Sequence, residues 1–196
     1  MPTEKIRLAS VQDAEAILAI YKPYIEETVI TFEYEVPSLE DFTKRIATIS
    51  QNYAYLVYTV DDEIIGYAYA ARQRERAAYN WNTELSIYLD QTKTHKGVGT
   101  RLYEALLTVL KEQQIYNVYG CMTCPNEPSE RLHKKLGFKE CGVFPHSGYK
   151  FDAWHSIKFF ERCIADISKQ PQAFKPITTL EPTRIEAILE AVFNKK

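Results

Sequence analysis

The 196-residue chain is poor in cysteine (four), glycine (seven) and proline (nine), and has no marked excess of either charge. Low glycine and proline exclude a fibrous or disordered chain. Lys and Arg number 24 against 26 Asp and Glu, a formal charge of −2, too small for a field that would gather nucleic acid or anionic lipid. No apolar run approaches the ~20 residues that a membrane-crossing helix needs. The opening MPTEKIRLAS has no apolar segment of the export type, so the cysteines are expected as reduced thiols in the cytoplasm. Cys121-Met122-Thr123-Cys124 lacks a second cysteine pair to complete a zinc site, and its thiols should fall on opposite faces of a strand. His95, His146 and His155 show no ligand spacing, so no metal is expected and the cysteines read as small buried residues. What is present, 45% apolar and 26% charged residues, suits a globular core.

The pattern of the chain is alternating α/β followed by a tail. Lys5 to Ala9 alternates as a half-buried strand, and Asp13 opens a helix whose stripe is Ile17, Ile20, Tyr21 and Tyr24, interrupted or restarted at Pro23. Thr28 to Val36 is β-branched and aromatic, which predicts extended structure. Ser38, with Asp41 three residues on, caps a helix to about Ile49. Tyr53 to Val60 and Glu63 to Ala71 flank the turn Asp61-Asp62 as an antiparallel hairpin. Glu84 to Leu89, a helix through Leu102, Leu106 and Leu110, and Val118 to Thr123 form a strand–helix–strand crossover, so these two strands should be parallel. A helix over Glu127 to Leu136, stopped by Gly137, precedes two strands, Phe138 to Phe144 and Trp154 to Phe160. Residues 1–167 read as one domain. Residues 168–196 read as an extension in which Thr183-Arg184-Ile185-Glu186 resembles a capping box before a stripe of Ile185, Ile188, Leu189 and Val192.

Gly97-Val98-Gly99 sits at a strand–helix junction beside His95, Lys96 and Arg101, where successive backbone amides and the helix dipole can cradle a phosphate. A dinucleotide fingerprint would need glycine where Leu102 stands, and a Walker loop would need Gly-Lys-Ser/Thr. A short pyrophosphate cradle of another kind remains. Asn126, Ser129 and His133 share one stripe of the next helix, directly beyond the carboxyl end of a parallel strand, where such sheets bind ligands.

Together these residues resemble the GNAT superfamily of acetyl-CoA-dependent N-acetyltransferases. Thr94-His95-Lys96-Gly97-Val98-Gly99 is similar to its Gln/Arg-x-x-Gly-x-Gly/Ala fingerprint, with Thr94 in place of the usual first residue. Within it, the stretches TVITFE (28–33), RAAYNWNTELSIYL (76–89), NEPSERLHKKLGF (126–138) and GYKFDAWH (148–155) resemble the phosphinothricin N-acetyltransferases, over about Ile6 to Phe174. The resemblance implies the GNAT fold: a central, mostly antiparallel mixed α/β sheet with one parallel βαβ pair and helices on both faces. It implies acetyl-CoA as cosubstrate, a small amino-acid-like amine such as phosphinothricin or methionine sulfoximine as acceptor, and a homodimer.

The resemblance also assigns residues. The backbone of Ile87, Tyr88 and Leu89 would pair with the pantetheine arm, and His95, Lys96, Gly97, Val98, Gly99 and Thr100 would hold the pyrophosphate. Asn126, with Ser129, would steady the arm near the thioester. Glu84 matches the catalytic base, and His133 would protonate or hydrogen-bond the departing thiolate or share the base role. Arg74, Arg76 and Tyr79 would recognise an acidic substrate, with Phe32 as a pocket wall. The expected reaction is direct attack in a ternary complex, with a backbone N–H near Tyr88 or Leu89 steadying the oxyanion. Competing readings are an acetyltransferase for protein N-termini or ribosomal proteins, and a coenzyme A-binding regulator without turnover. Glu84 and His133 speak against the second.

Overall fold

The structure, a computed structural model, describes residues 2–93 and 97–194. In chain order its elements are β1 (Glu4–Leu8), α1 (Ala14–Glu27), α2 (Leu39–Asn52), β2 (Tyr55–Val60), β3 (Glu63–Arg72) and β4 (Asn82–Leu89). There follow α3 (Val98–Glu112), β5 (Asn117–Cys124), α4 (Glu127–Lys135), β6 (Lys139–Lys150), β7 (Ala153–Cys163) and α5 (Pro182–Phe193). The strands form one sheet in the order β1-β2-β3-β4-β5-β7-β6. β4 and β5 are parallel, as a helical crossover requires, and the other neighbours are antiparallel. Strand alternation sends Tyr55, Val57 and Tyr67 to the face under α1 and α2. Leu56, Tyr58, Ala68 and Leu85 go to the face packed on α3 and α5. The Asp61-Asp62 turn has φ of 49° and 65°, the left-handed pair that a two-residue hairpin needs.

Thr28 to Val36 is not a strand. Side chains, not a neighbouring strand, take its carbonyls: Thr123 Oγ1 donates to Val29 at 2.7 Å, and Lys150 Nζ donates to Thr28 and Thr31. α1 continues through Pro23, and Thr28 Oγ1 closes it by donating to the Tyr24 carbonyl at 2.7 Å. Ser38 caps α2 as expected, accepting from the Asp41 amide at 3.1 Å. The Thr183 capping box does not form, because the N-cap is Glu181 and Pro182 begins the helix.

Residues 168–194 are bound into the main core. Gln113, fully buried, donates to the carbonyls of Asn52 and Lys175 and accepts from the Ala54 amide. Beyond this knot, α5 lays Ile185, Ile188, Leu189 and Val192 on the α3 side of the sheet. Arg101 donates to Glu4 at 3.1 Å and Tyr58 at 2.9 Å, with its guanidinium 5.1 Å from the Phe193 ring centre. It anchors the tail and is occupied away from the glycine loop.

Candidate active site

The parallel pairing of β4 with β5 stops at Leu85↔Gly120, while β4 continues to Leu89 along β3 and β5 continues to Cys124 along β7. The two strands therefore diverge, and a cavity of about 410 Å³ opens between them. Its walls include Leu85 to Leu89, Tyr103, Cys121, Met122, Asn126, Ser129, Leu132 and His133, and Tyr24, Thr28 and Ile30 from the far side. The Asp90 amide donates to Ile65 of β3 at 2.9 Å. Successive amides alternate in direction, so Tyr88 also faces β3 while Ile87 and Leu89 face the gap. Tyr24 Oη covers Leu89, donating to its carbonyl at 2.7 Å and receiving its amide at 3.4 Å. The N–H and C=O of Ile87 are the strand edge open to a ligand. Of the three residues expected to pair with the arm, Tyr88 turns its backbone to β3.

α3 begins at this gap. Gly97, exposed and at φ 89°, is its N-cap, a conformation that side chains disfavour, and having no side chain it leaves the first-turn amides without a cap of its own. A Cβ on Gly99 would lie 3.5–3.7 Å from Leu132, Ile87 and Leu89, so the helix N-terminus abuts the cavity wall. Val98 and Thr100 complete that turn. Lys135 of α4 adds a cation there by donating to Thr100 Oγ1 at 3.2 Å. His95 and Lys96 lie outside the described residues.

Asn126 Oδ1 caps α4 by accepting from the Ser129 amide at 3.2 Å. One turn on, His133 is 2% exposed within a box of Tyr103, Phe138 and Phe160. Its Nδ1 lies 2.9 Å from the Ser129 carbonyl, which can only accept, so the proton is on Nδ1. Nε2 carries a lone pair, buried and without a partner among the described residues. Burial lowers the pKa of the ring, opposed by the Ser129 bond. With Nδ1 committed to Ser129, Nε2 is the ring atom left for the role expected of it towards the thiolate or as a shared base, and burial favours its neutral form.

Glu84 is half-buried, and burial raises its pKa, as suits a base that must hold a proton briefly. It pairs with Tyr119 just below the point of divergence and does not itself line the cavity. Alternation places it on the α1–α2 face, whereas Gly120, against which His133 packs, is on the α3 face. The two candidates thus approach the gap from opposite faces and cannot share one proton directly. Cys121 and Cys124 are half-buried and Cys141 and Cys163 exposed, so the cysteines are not core residues. Cys121 lines the cavity, and burial together with the Glu84 carboxylate pushes its thiol up to about 12, which keeps it protonated and unsuited to carry an acyl group.

Arg74, Arg76 and Tyr79 sit in the β3–β4 loop, at the opposite end of β4 from Leu89. Arg74 stands 5.5 Å from the Tyr79 ring centre. It also opposes the burial that raises the Tyr119 pKa, which puts its charge near the strand pair of Glu84. Arg76 is exposed, and its carbonyl accepts from the Tyr79 amide at 2.9 Å. Phe32 packs on Gly148, outside the cavity lining. The structure therefore gathers Ile87, Tyr88, Leu89, Asn126, Ser129 and His133 in one cavity, with the α3 N-terminus at its rim. Tyr24, Tyr103 and Cys121 were missed as cavity residues. Tyr24 lies on a helical stripe that reads simply as core, and Tyr103 stands beside the Leu102, Leu106 and Leu110 stripe with no signal of its own. Among the described residues no cluster of acidic, histidine or cysteine side chains could hold a metal.

A splayed parallel pair with a glycine-led helix N-terminus at its mouth is the kind of cleft in which an acyltransferase holds its carrier. Residues 6–158 match the family described as acetyltransferase (GNAT) domain, and the chain belongs to that family. It is 30% identical over 176 residues to a phosphinothricin N-acetyltransferase of Streptomyces viridochromogenes, covering 90% of this chain and 96% of that one. It is also 30% identical to an L-methionine sulfoximine/L-methionine sulfone acetyltransferase of Pseudomonas paraeruginosa, over 80% of this chain and 92% of that one. The crystal structure of a GNAT superfamily phosphinothricin acetyltransferase from Sinorhizobium meliloti in complex with AcCoA superposes with a TM-score of 0.82 at 30% identity, covering 87% of this chain and 94% of that one.

Proposed function

We propose that this acetyltransferase moves the acetyl group of acetyl-CoA to the amino group of a small amino-acid-like substrate of the phosphinothricin or methionine sulfoximine type. The observation that carries this reading is the open Ile87 edge beside Glu84, in a chain whose relatives bear those substrate names. Ile87 would pair with the pantetheine arm as an added strand. The first amides of α3, following Gly97, would receive the pyrophosphate with His95 and Lys96. Asn126 and Ser129 would border the arm. The Leu89 amide, once released from Tyr24, is a donor for the oxyanion. The amine must be neutral to attack, and each unit of pKa above ambient pH costs about 1.4 kcal/mol. Glu84 accepts that proton, directly or through water, while His133 Nε2 accepts a hydrogen bond from the opposite face. Arg74 faces the acidic group of the acceptor, with Tyr79, Arg76 and Phe32 around it. Holding amine and thioester in line contributes more, about 7–11 kcal/mol. A thiol-release assay with acetyl-CoA tests the reading. Phosphinothricin and methionine sulfoximine should release thiol, whereas release only with peptide N-termini would replace this acceptor class by a protein.

We also infer a homodimer in a reducing, cytoplasmic setting, supported by four free thiols and by an apolar sheet edge. β6 is the edge of the sheet, and it and β7 expose Val143, Phe144, Tyr149 and Trp154. An apolar sheet edge of this kind invites further pairing unless it is covered, and a second copy would cover it. Sedimentation should give a dimer for the native chain and a monomer for Trp154→Glu. A native monomer would dismiss the inference.

A further inference from the structure

Lys150, at the end of β6, is 2% exposed, yet it reaches neither the cavity nor any carboxylate within ion-pair distance among the described residues. Its Nζ donates to three backbone carbonyls: Ile25 at 2.7 Å, Thr28 at 2.8 Å and Thr31 at 2.9 Å. A neutral amine has two N–H groups, so three acceptors require the ammonium form. Burial alone pulls this group below the ordinary lysine value. The carbonyls at the end of α1, which favour a cation, compensate for the lost hydration.

These bonds, with Thr123 Oγ1 on the Val29 carbonyl, suspend the α1–α2 connection over the cavity. Thr28, itself a tether point, and Ile30, between the tethered Val29 and Thr31, are both cavity walls. Phe32 is seated on the same β6 strand, where a Cβ at Gly148 would come within 2.3 Å of its ring.

We propose that Lys150 and Thr123 are positioning residues that fix this connection as the acceptor-side wall of the cleft. The proposal rests on the reading that an amine enters beside it. Neither side chain touches a reacting atom; both act through the loop. Replacing Lys150 removes charged hydrogen bonds, so Lys150→Met should raise KM for the amine about tenfold or more. Acetyl-CoA affinity should fall much less than the amine KM rises, because Ile87 is held by β3 and the first turn of α3 abuts Leu132 and Leu89, not the loop. Amide exchange should quicken in residues 29–33 and not in β4 or β5. Thr123→Val, nearly isosteric, should act in the same direction with a smaller rise, and it decides the matter if Lys150→Met does not fold. A folded variant with unchanged amine KM, or one in which amine KM and acetyl-CoA affinity worsen equally, would overturn the proposal. Absence of thiol release from the native chain with every amine would instead refute the acceptor reading, and loop exchange would still test the anchoring.

Discussion

Glu84→Gln is expected to lower kcat/KM near neutrality by about 10²–10⁴-fold, the usual contribution of a positioned general base. The loss should shrink as pH rises, because the amine then sheds its proton to water and no longer needs the carboxylate. In the native enzyme the rate should fall towards acid pH earlier than an exposed glutamate would dictate, since burial raises the Glu84 pKa. The same burial has a thermodynamic signature. A carboxyl whose folded pKa exceeds its unfolded value binds its proton more tightly when folded, so stability is lost as pH rises from the unfolded pKa through the folded one. At pH 7 the native protein carries that whole penalty and the Gln variant carries none. Glu84→Gln should therefore melt higher at neutral pH while turning over slowly. A pH–rate profile and melting curves on both proteins check this. An unaltered rate at pH 7 would remove Glu84 from the chemistry.

Gly120→Ala should damage the sheet and the cavity wall together. Its Cβ would lie 2.2 Å from His133 Nε2 and 2.8 Å from Cδ2. The ring cannot swing aside, because Tyr103, Phe138 and Phe160 enclose it and its Nδ1 is bonded to α4. Relief must come from moving α4 or prising β5 from β4, and overpacking of this kind costs about 1–3 kcal/mol. For a chain of this size that is a Tm fall of roughly 2–12 °C. Displacing α4 also shifts Asn126 and Ser129 on the cavity wall, so acetyl-CoA binding should weaken along with stability. Differential scanning calorimetry and a binding titration read the two effects, and a variant that melts and binds like the native chain would show that the box yields.

The sequence disclosed the parallel crossover because apolar periodicity switches twice, from ELSIYL to the Leu102, Leu106 and Leu110 stripe and back at Val118. It disclosed the helix junction because Gly97-Val98-Gly99 falls between the ELSIYL strand and the Leu102 stripe. Other features depended on partners distant in the chain. TVITFEYEV has strand composition, but its carbonyls go to Lys150 and Thr123, about a hundred residues away. No local propensity reports that. Lys150 itself passes for a surface lysine until those acceptors are found. Glu84 and His133 were legible as chemistry, but their placement on opposite faces depends on the pairing of Leu85 with Gly120. The cysteines look like core filling in sequence, and only the divergence of the strands puts Cys121 at the cavity.

The placement of Glu84 and His133 on opposite sides of the sheet has a practical consequence for redesign. On the proposed reading, the connection after α1 and the loop before β4 would receive the nucleophile, while α3 and α4 would hold the nucleotide carrier. Engineers wishing to broaden the amines accepted can diversify the former and leave the latter intact, screening libraries at constant carrier affinity.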